Sequence, residues 1–378
     1  MNNTWSMIWH QAMTRSFLNG KGFGWNKTIV FSVSSPVSGS QIRLRFSNRY
    51  GNEPYEISAL SIQSARHFRS VTLNHRTAFQ IQKGITYSDP CAIPVQAGEV
   101  ITIRMYYTSA VLDSNMIEQE ANLLNGDHTR DTATVKMQKP LPAKLLGVYN
   151  AIPAIEAVEV LTEEPLKAIA AFGDSITALS QWTKPLAKRL EEAYPGEYVL
   201  LNSGISGNCL LYEPKGVFGP VFGDRGTVRF ERDVLAIPDL SEVIIALGVN
   251  DVSYLNDETR DLITLENYQK AVTDLTVQLH EQGVRVIMET ITPRLGVART
   301  MGKYTREMEE LRLQCNAWIR NTDIFEYVFD AEAVVREERK DGYYFAEGLH
   351  MGDHLHPNKE GGQKLADAFD VKKLTGKE

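Results

Sequence analysis

The hydrophobic period of this chain changes near residue 165, and no single layer architecture accommodates both halves. Before that point short apolar stretches alternate with polar residues. "KTIVFSVSS" (27–35), "QIRLRFSN" (41–48), "YEISALSIQSA" (55–65), "TAFQIQ" (77–82) and "GEVITIRMYYT" (98–108) are rich in β-branched residues and broken by Gly, Pro, Ser and Asn. Arg43 and Arg45 alternate with Ile42, Leu44 and Phe46, the period of a half-buried antiparallel strand. In "NRYGNEP" (48–54), Gly51-Asn52 is expected to supply positive φ, and Pro54 to end the turn. The sum is an all-β sandwich or jelly roll. Residues 109–164 read as further strands and the connection to the second half.

From Leu166 onward, apolar strand-like runs alternate with helical ones. "AIAAFG" precedes "KPLAKRLEEAY", "YVLLNSG" precedes "VRFERDVLAI", and "EVIIALG" precedes "ENYQKAVTDLTVQLHEQG". "VRVIMETI" precedes "REMEELRLQCNAWIRN", and "YVFDAEAVV" precedes "NKEGGQKLADAFD". Within 265–283, Ala271, Leu275 and Leu279 sit four apart, with Val272 and Val277 widening the stripe, and Gly283 stands where a terminating glycine belongs. Five β-then-α units imply an α/β fold with a parallel sheet between two helical layers, joined by right-handed crossovers. The expected division is residues 1–164 as a β-sandwich accessory domain and 165–378 as a three-layer α/β/α domain. A length of 378 residues suits two cores better than one.

In an open α/β sheet, chemistry collects where the strands end. Four polar clusters fall at such ends: Gly173-Asp174-Ser175, Asn202 to Asn208, Gly248 to Asp251 and Gly352 to Pro357. Ser175 follows a buried strand directly and precedes a helix expected near Lys184. A serine there presents its hydroxyl and its own N–H, or else serves only as a turn or cap residue. Gly207 lets the backbone turn an N–H toward a ligand, or simply makes a turn. Asn250 offers a neutral amide donor to a developing oxyanion, or stabilises a turn. Asp353 and His356 lie three apart ahead of a proline and a helix. An acid so placed reaches the Nδ1–H of the histidine and leaves Nε2 to take a proton. The rival reading is a metal on His350, Asp353, His354 and His356, for which the rest of the chain offers no obvious fourth ligand.

Taken in order, "GDSIT", "SGISGN", "GVND" and "DHLHP" resemble the four blocks of the SGNH subgroup of GDSL-type hydrolases. "RFERDVL", "ITPRLG" and "CNAWIRNTDIFEYVFDAEAVVR" extend the likeness to a bacterial branch that often carries a β-rich domain first, and "RLRFSNRYGNEP" resembles part of that domain. The resemblance implies Ser175 as nucleophile, His356 as general base and then acid, and Asp353 as its orienter. It implies an oxyanion hole of the Ser175 N–H, the Gly207 N–H and the Asn250 amide, with Asp174 holding the turn. It implies no cofactor and no metal. Many relatives carry Asp-Gly after the threonine of the first block, where this chain has Ala178-Leu179, so the floor of the site differs.

The remaining expectations are coarser. A formal charge of −7 argues against a nucleic-acid partner, and no apolar run is long enough for a membrane. Cys91, Cys209 and Cys315, odd in number and far apart, read as reduced thiols. With no secretory signal in "MNNTWSMIWHQAM", a cytoplasmic location is expected. Neither G-x-G-x-x-G nor G-x-x-x-x-G-K-[ST] occurs, and G-x-S-x-G is absent around Ser175. The reading is a serine esterase for short acyl groups, especially acetyl on an oligosaccharide or other small ester. The appended β-domain and the lack of a long apolar lid segment favour it. The alternatives are a lysophospholipase or thioesterase, and a carbohydrate-binding protein whose hydrolase half is minor. Trp182, Tyr212, Phe218 and Phe222 either line the site or pack in the core, and "EPKGVFGPVFGDRG" (213–226) is expected to shape access. Tyr50, Tyr55 and Tyr87 are the candidates for a sugar platform on the first domain. Oligomeric state is not legible.

Overall fold

The computed structural model describes residues 3–15, 26–108, 113–115, 121–133, 152–216, 219–297 and 303–377. The chain forms two compact units, residues 1–166 with 195–201 and residues 167–194 with 202–378. Among the described residues no helix is long and apolar enough to cross a membrane.

The first unit is mostly antiparallel sheet. One sheet orders its strands Thr4–His10, Ile155–Thr162, Ile42–Asn48 and Gly84–Tyr87. The other runs Ala121–Asn125, Lys27–Ser34, Val100–Tyr107, Tyr55–Ser64 and His67–Ser70, with Phe79–Ile81 also on Tyr55–Ser64. Ile42, Leu44 and Phe46 are fully buried, as their alternation requires. The opposite face is also covered. Arg43 stands across from Glu159 in the ladder and pairs with it at 2.5 Å, while its guanidinium lies over the rings of Trp5 and Tyr87. Arg45 is buried and pairs with Glu156 at 2.9 Å. Opposite charges on adjacent strands let two arginines sit on a sheet face that alternation alone assigns to water.

Two expectations for this unit need correction. Neither Gly51 nor Asn52 adopts a positive φ. Instead Asp113 accepts from the N–H groups of Arg49 and Tyr50 at 2.7 and 3.0 Å and holds that turn from outside. Gly51 is needed for space, since a Cβ there would stand 1.8 Å from Asn48 Oδ1. Tyr55 is buried and donates to the Ser47 carbonyl, so it presents no platform to a sugar.

The second unit carries four strands of a five-stranded parallel sheet, of which one edge strand falls almost wholly in the stretch 195–201 grouped with the first unit. The strands of the sheet are β1 (Lys167–Gly173), β2 (Tyr198–Asn202), β3 (Leu240–Ala246), β4 (Arg285–Glu289) and β5 (Tyr327–Phe329), in the order β2-β1-β3-β4-β5. Ile169 to Phe172, Val243 to Ile245 and Val286 to Met288 are fully buried, as strands covered on both faces must be. The order reverses between β1 and β3, and the crevice at such a reversal is where ligands bind in open α/β sheets. Ser175 follows the end of β1, and Asn250 follows the end of β3.

Local chemistry sets the helix boundaries. In the helix Leu265–Glu281, Thr264 accepts from the Asn267 N–H at 3.1 Å. Gly283 N–H donates to the His280 carbonyl and Val284 N–H to the Leu279 carbonyl, both at 3.0 Å, the paired closure of a glycine-terminated helix. Ala271, Val272, Leu275 and Leu279 are buried, but Val277 is 48% exposed. Two residues past Leu275 the helix has turned about 200°, so Thr276 and not Val277 widens the stripe. "YVFDAEAVV" is not one strand either. Asp330 accepts from the Ala333 N–H and starts the helix Ala331–Val335 immediately after Phe329.

Candidate active site

The turn at Ser175 differs from expectation in one respect. Ser175 does not sit in a long loop; it opens a one-turn helix, Ser175–Ala178, and the next helix begins at Thr183. Asp174 caps the short helix, its Oδ1 accepting from the Ile176 N–H at 2.9 Å. Burial pushes the Asp174 carboxyl up to about 6, while the Ile176 N–H and the charges of His356, Arg294 and Arg229 favour its anion.

The loop before the helix Lys359–Ala368 brings an imidazole to Ser175. His356 Nε2 lies 2.7 Å from Ser175 Oγ across 181 positions of chain, and His356 Nδ1 lies 2.6 Å from Asp353 Oδ2. Asp353 Oδ1 accepts from the Leu355 and His356 N–H groups at 3.0 Å each. His354 takes φ 57°, a left-handed conformation that costs about 1–3 kcal/mol and folds the loop back far enough for this. Burial pulls the Asp353 carboxyl up, but the bonds and charge of His356 and the two backbone N–H groups prevail and hold it at about 2. Its folded value lies below the ordinary one, so this contact is stabilising above the unfolded carboxylate range and is lost as pH falls through about 2.

The other histidines turn away from this pair. His350 and His354 group with Glu347, their ring centroids 4.2 Å apart. His350 Nδ1 accepts from the N–H groups of Gly352 and His354, at 2.9 and 3.2 Å. A neutral imidazole that accepts at Nδ1 carries its proton on Nε2, so the His350 nitrogen facing Glu347 is a donor and has no lone pair for a metal. Asp353 and His356 are engaged with one another, which breaks up the four-residue cluster considered from sequence.

The second and third blocks are locked to the first by buried polar contacts. A Cβ on Gly204 would stand 2.5 Å from the Ala178 nitrogen, so the second block runs against the helix Ser175–Ala178 as only glycine allows. Gly207 has φ +78°, and a Cβ there would also strike the Phe222 ring at 2.2 Å. Asn250 Nδ2 donates to the Asn208 carbonyl at 3.0 Å, using one of its two N–H bonds. Asp251 accepts from the Leu210 and Leu211 N–H groups at 2.7 and 2.8 Å.

Sequence reasoning did not single out Arg229. It is fully buried and donates to the carbonyls of Gly173 and Ser203 at 2.9 and 2.8 Å, and to Asn208 Oδ1 at 2.8 Å. Its guanidinium also pairs with Asp233 and lies 4.2 Å from the centre of the Phe172 ring. One planar fork thus holds the first two blocks in register. The available signal was an arginine and an aspartate four apart in "RFERD", which pattern reading assigns to a solvated face. Of the candidate aromatics, Trp182 is buried and stacked on Phe369. Tyr212 packs against Tyr254. Phe218 lies outside the described residues.

A hydroxyl held on an imidazole that is itself held on a carboxylate is the arrangement used by serine-dependent acyl transfer. The sequence profile of the GDSL-like Lipase/Acylhydrolase family matches residues 171–364, just over half of the chain, and the match includes all four blocks. The chain belongs to this family and is a carboxylic ester hydrolase. Similar solved structures include a carbohydrate acetylesterase from Sinorhizobium meliloti, at 20% identity over 53% of this chain and 95% of that one, with a TM-score of 0.39. An acetylxylan esterase from Geobacillus stearothermophilus is also similar, at 20% identity over 55% and 94% of the two chains and a TM-score of 0.40. A GDSL-like lipase from Bacteroides thetaiotaomicron shares 16% identity over 56% and 88%, with a TM-score of 0.39. No curated protein matches the chain.

Proposed function

We propose that this enzyme removes short acyl groups, acetyl above all, from carbohydrate esters through an acyl-Ser175 intermediate. The reading rests on the contact between His356 Nε2 and Ser175 Oγ at 2.7 Å, backed by Asp353 on the far nitrogen. Ser175 Oγ attacks the ester carbonyl as its proton passes to His356 Nε2. Asp353 holds the imidazole in the right tautomer and balances the imidazolium charge. The oxyanion is received by the N–H groups of Ser175 and Gly207 and by the Asn250 amide. His356 then gives its proton to the leaving alcohol. Water repeats the path, breaking the acyl–oxygen bond and restoring the serine. None of these steps calls for a metal or an organic cofactor.

Support for a small acyl group comes from Phe222, whose ring crowds Gly207. The segment 213–226 that carries it is the proposed gate to the cleft. We assign residues 165–378 as the catalytic domain and residues 1–164 as an accessory domain with a structural part. We place the enzyme in the cytoplasm, acting on imported oligosaccharides, a setting in which its free, buried thiols Cys91, Cys209 and Cys315 stay reduced. Nucleic acid and membrane have no place as partners in this reading.

The test is a rate profile over p-nitrophenyl acetate, butyrate and octanoate with acetylated xylan and mannan fragments. Highest kcat/KM on acetyl esters, with release of acetate from the fragments, is the expected result. Preference for octanoate moves the enzyme to the lysophospholipase or thioesterase class. Inertness toward every ester, matched by Ser175→Ala, favours the binding-protein alternative. Asn250→Ala is expected to lower kcat on p-nitrophenyl acetate by about 10²–10³-fold, the usual loss for one oxyanion donor. An unchanged kcat removes Asn250 from the hole.

A further inference from the structure

Glu289 closes β4, a strand whose Val286, Ile287 and Met288 are fully buried. It is itself 5% exposed, and its Oε2 has no hydrogen-bond partner among the described residues. A buried carboxyl left in this state is costly unless something answers it. Glu289 and Asp174 line one small cavity with Thr292, and the Thr292 hydroxyl is likewise buried and unpartnered. The remaining walls come from Ile176, Ala246, Leu247, Val249, Thr290 and Ile291. The cavity gives the centres of water molecules about 20 Å³, enough for one water, and it offers the two to four polar partners that an internal water needs.

We propose that this cavity binds one internal water between Asp174, Glu289 and Thr292, and that Glu289 acts through it as a positioning residue for the nucleophile turn. The water donates to the Asp174 carboxylate and to the Thr292 hydroxyl oxygen and accepts from the Glu289 carboxyl. Asp174 in turn holds the Ile176 N–H and so the helix that Ser175 opens.

The division of charge follows from the surroundings. Two carboxyl groups on one small buried cavity do not both ionise readily. Burial, with the Asp174 charge added, raises Glu289 to about 8, so at neutral pH it is the proton donor of the pair. Asp174 lines the same cavity; the charges of Arg229, Arg294 and His356 favour its anion, and that of Asp251 opposes it. Beside β4, Asp330 and Glu332 hold Thr290 and are themselves paired with Arg320 and Arg312. As pH rises through about 8, Glu289 ionises, the hydrogen bond through the water is lost, and a second charge repels Asp174.

This role rests on the acyl-Ser175 reading for its kinetic readout. The test uses the full chain, p-nitrophenyl acetate and the variants Glu289→Gln and Glu289→Leu. The wild type is expected to lose kcat above about pH 8. Glu289→Gln, which keeps a neutral donor, retains kcat within about threefold at pH 7 and lacks that alkaline fall. Glu289→Leu lowers kcat roughly 10- to 100-fold with KM little changed, the scale for a misplaced reacting group. A high-resolution crystal structure shows one water between Asp174, Glu289 and Thr292. Superimposable pH profiles of wild type and Glu289→Gln, or a dry cavity in the crystal, overturn the proposal. If Glu289→Leu does not fold, the Glu289→Gln profile and the crystal decide. Activity unchanged in Ser175→Ala sinks the acyl-serine reading instead, and leaves the water itself to the crystal.

Discussion

Ser175→Ala lowers kcat on p-nitrophenyl acetate by at least ~10⁴-fold, and by up to ~10⁶-fold if this relay resembles others in strength. The size of the loss follows from what the hydroxyl alone supplies. Without it there is no acyl-enzyme, and only the oxyanion donors and substrate binding remain to speed attack by water. His356→Ala is expected to cost about as much, because an unactivated serine is a poor nucleophile. The double variant is expected to be no worse than either single one, since the two residues act as one unit. Circular dichroism and thermal melting of Ser175→Ala are expected to match the wild type. Additive losses in the double variant, or near-normal turnover by Ser175→Ala, would show that the pair does not work as proposed.

Arg229→Met is expected to destabilise the second unit by about 3–5 kcal/mol, the range for breaking a buried ion pair from one side. The substitution leaves the Asp233 carboxylate with Arg232 alone and strips donors from the Gly173 and Ser203 carbonyls and from Asn208 Oδ1. For a unit of this size that corresponds to a fall in the melting midpoint of roughly 10 °C. Arg229→Lys is expected to recover only part of it, because an ammonium cannot span acceptors arranged around a planar fork. Activity falls further than the folded fraction does, since the first and second blocks lose their common anchor. A melting curve within about 2 °C of wild type would show that the network is not structural in this sense.

Much of the fold and the site is legible in the sequence, for specific physical reasons. The strands Lys27–Ser34, Ile42–Asn48 and Val100–Tyr107 announce themselves because one face of each is dry and the period is two. The sheet β1 to β5 is visible because its strands are apolar throughout. Ser175, Gly207, Asn250, Asp353 and His356 each follow a strand or precede a helix, where polar residues stand out against apolar runs. What pattern reading misses is mostly buried charge. Nothing in the sequence marks Arg45 with Glu156, Arg229 with Asp233, or Glu289 as buried, because only the fold shows what partner or cavity answers them. The one-turn helix at Ser175 escapes it because four residues are too few for a period, and its cap, Asp174, also fits a plain turn. Val277 is misplaced because an apolar residue at the wrong angle still looks apolar.

The activation of the Ser175 hydroxyl by the His356 imidazole is the proposal on which the rest depends. It is tested most directly by incubating the full chain with a fluorophosphonate and mapping the adduct by peptide mass spectrometry. One stoichiometric phosphonyl adduct on Ser175 is expected, formed in step with loss of esterase activity and prevented by His356→Ala. Loss of activity with the adduct on another residue, or full activity with Ser175 modified, would contradict it.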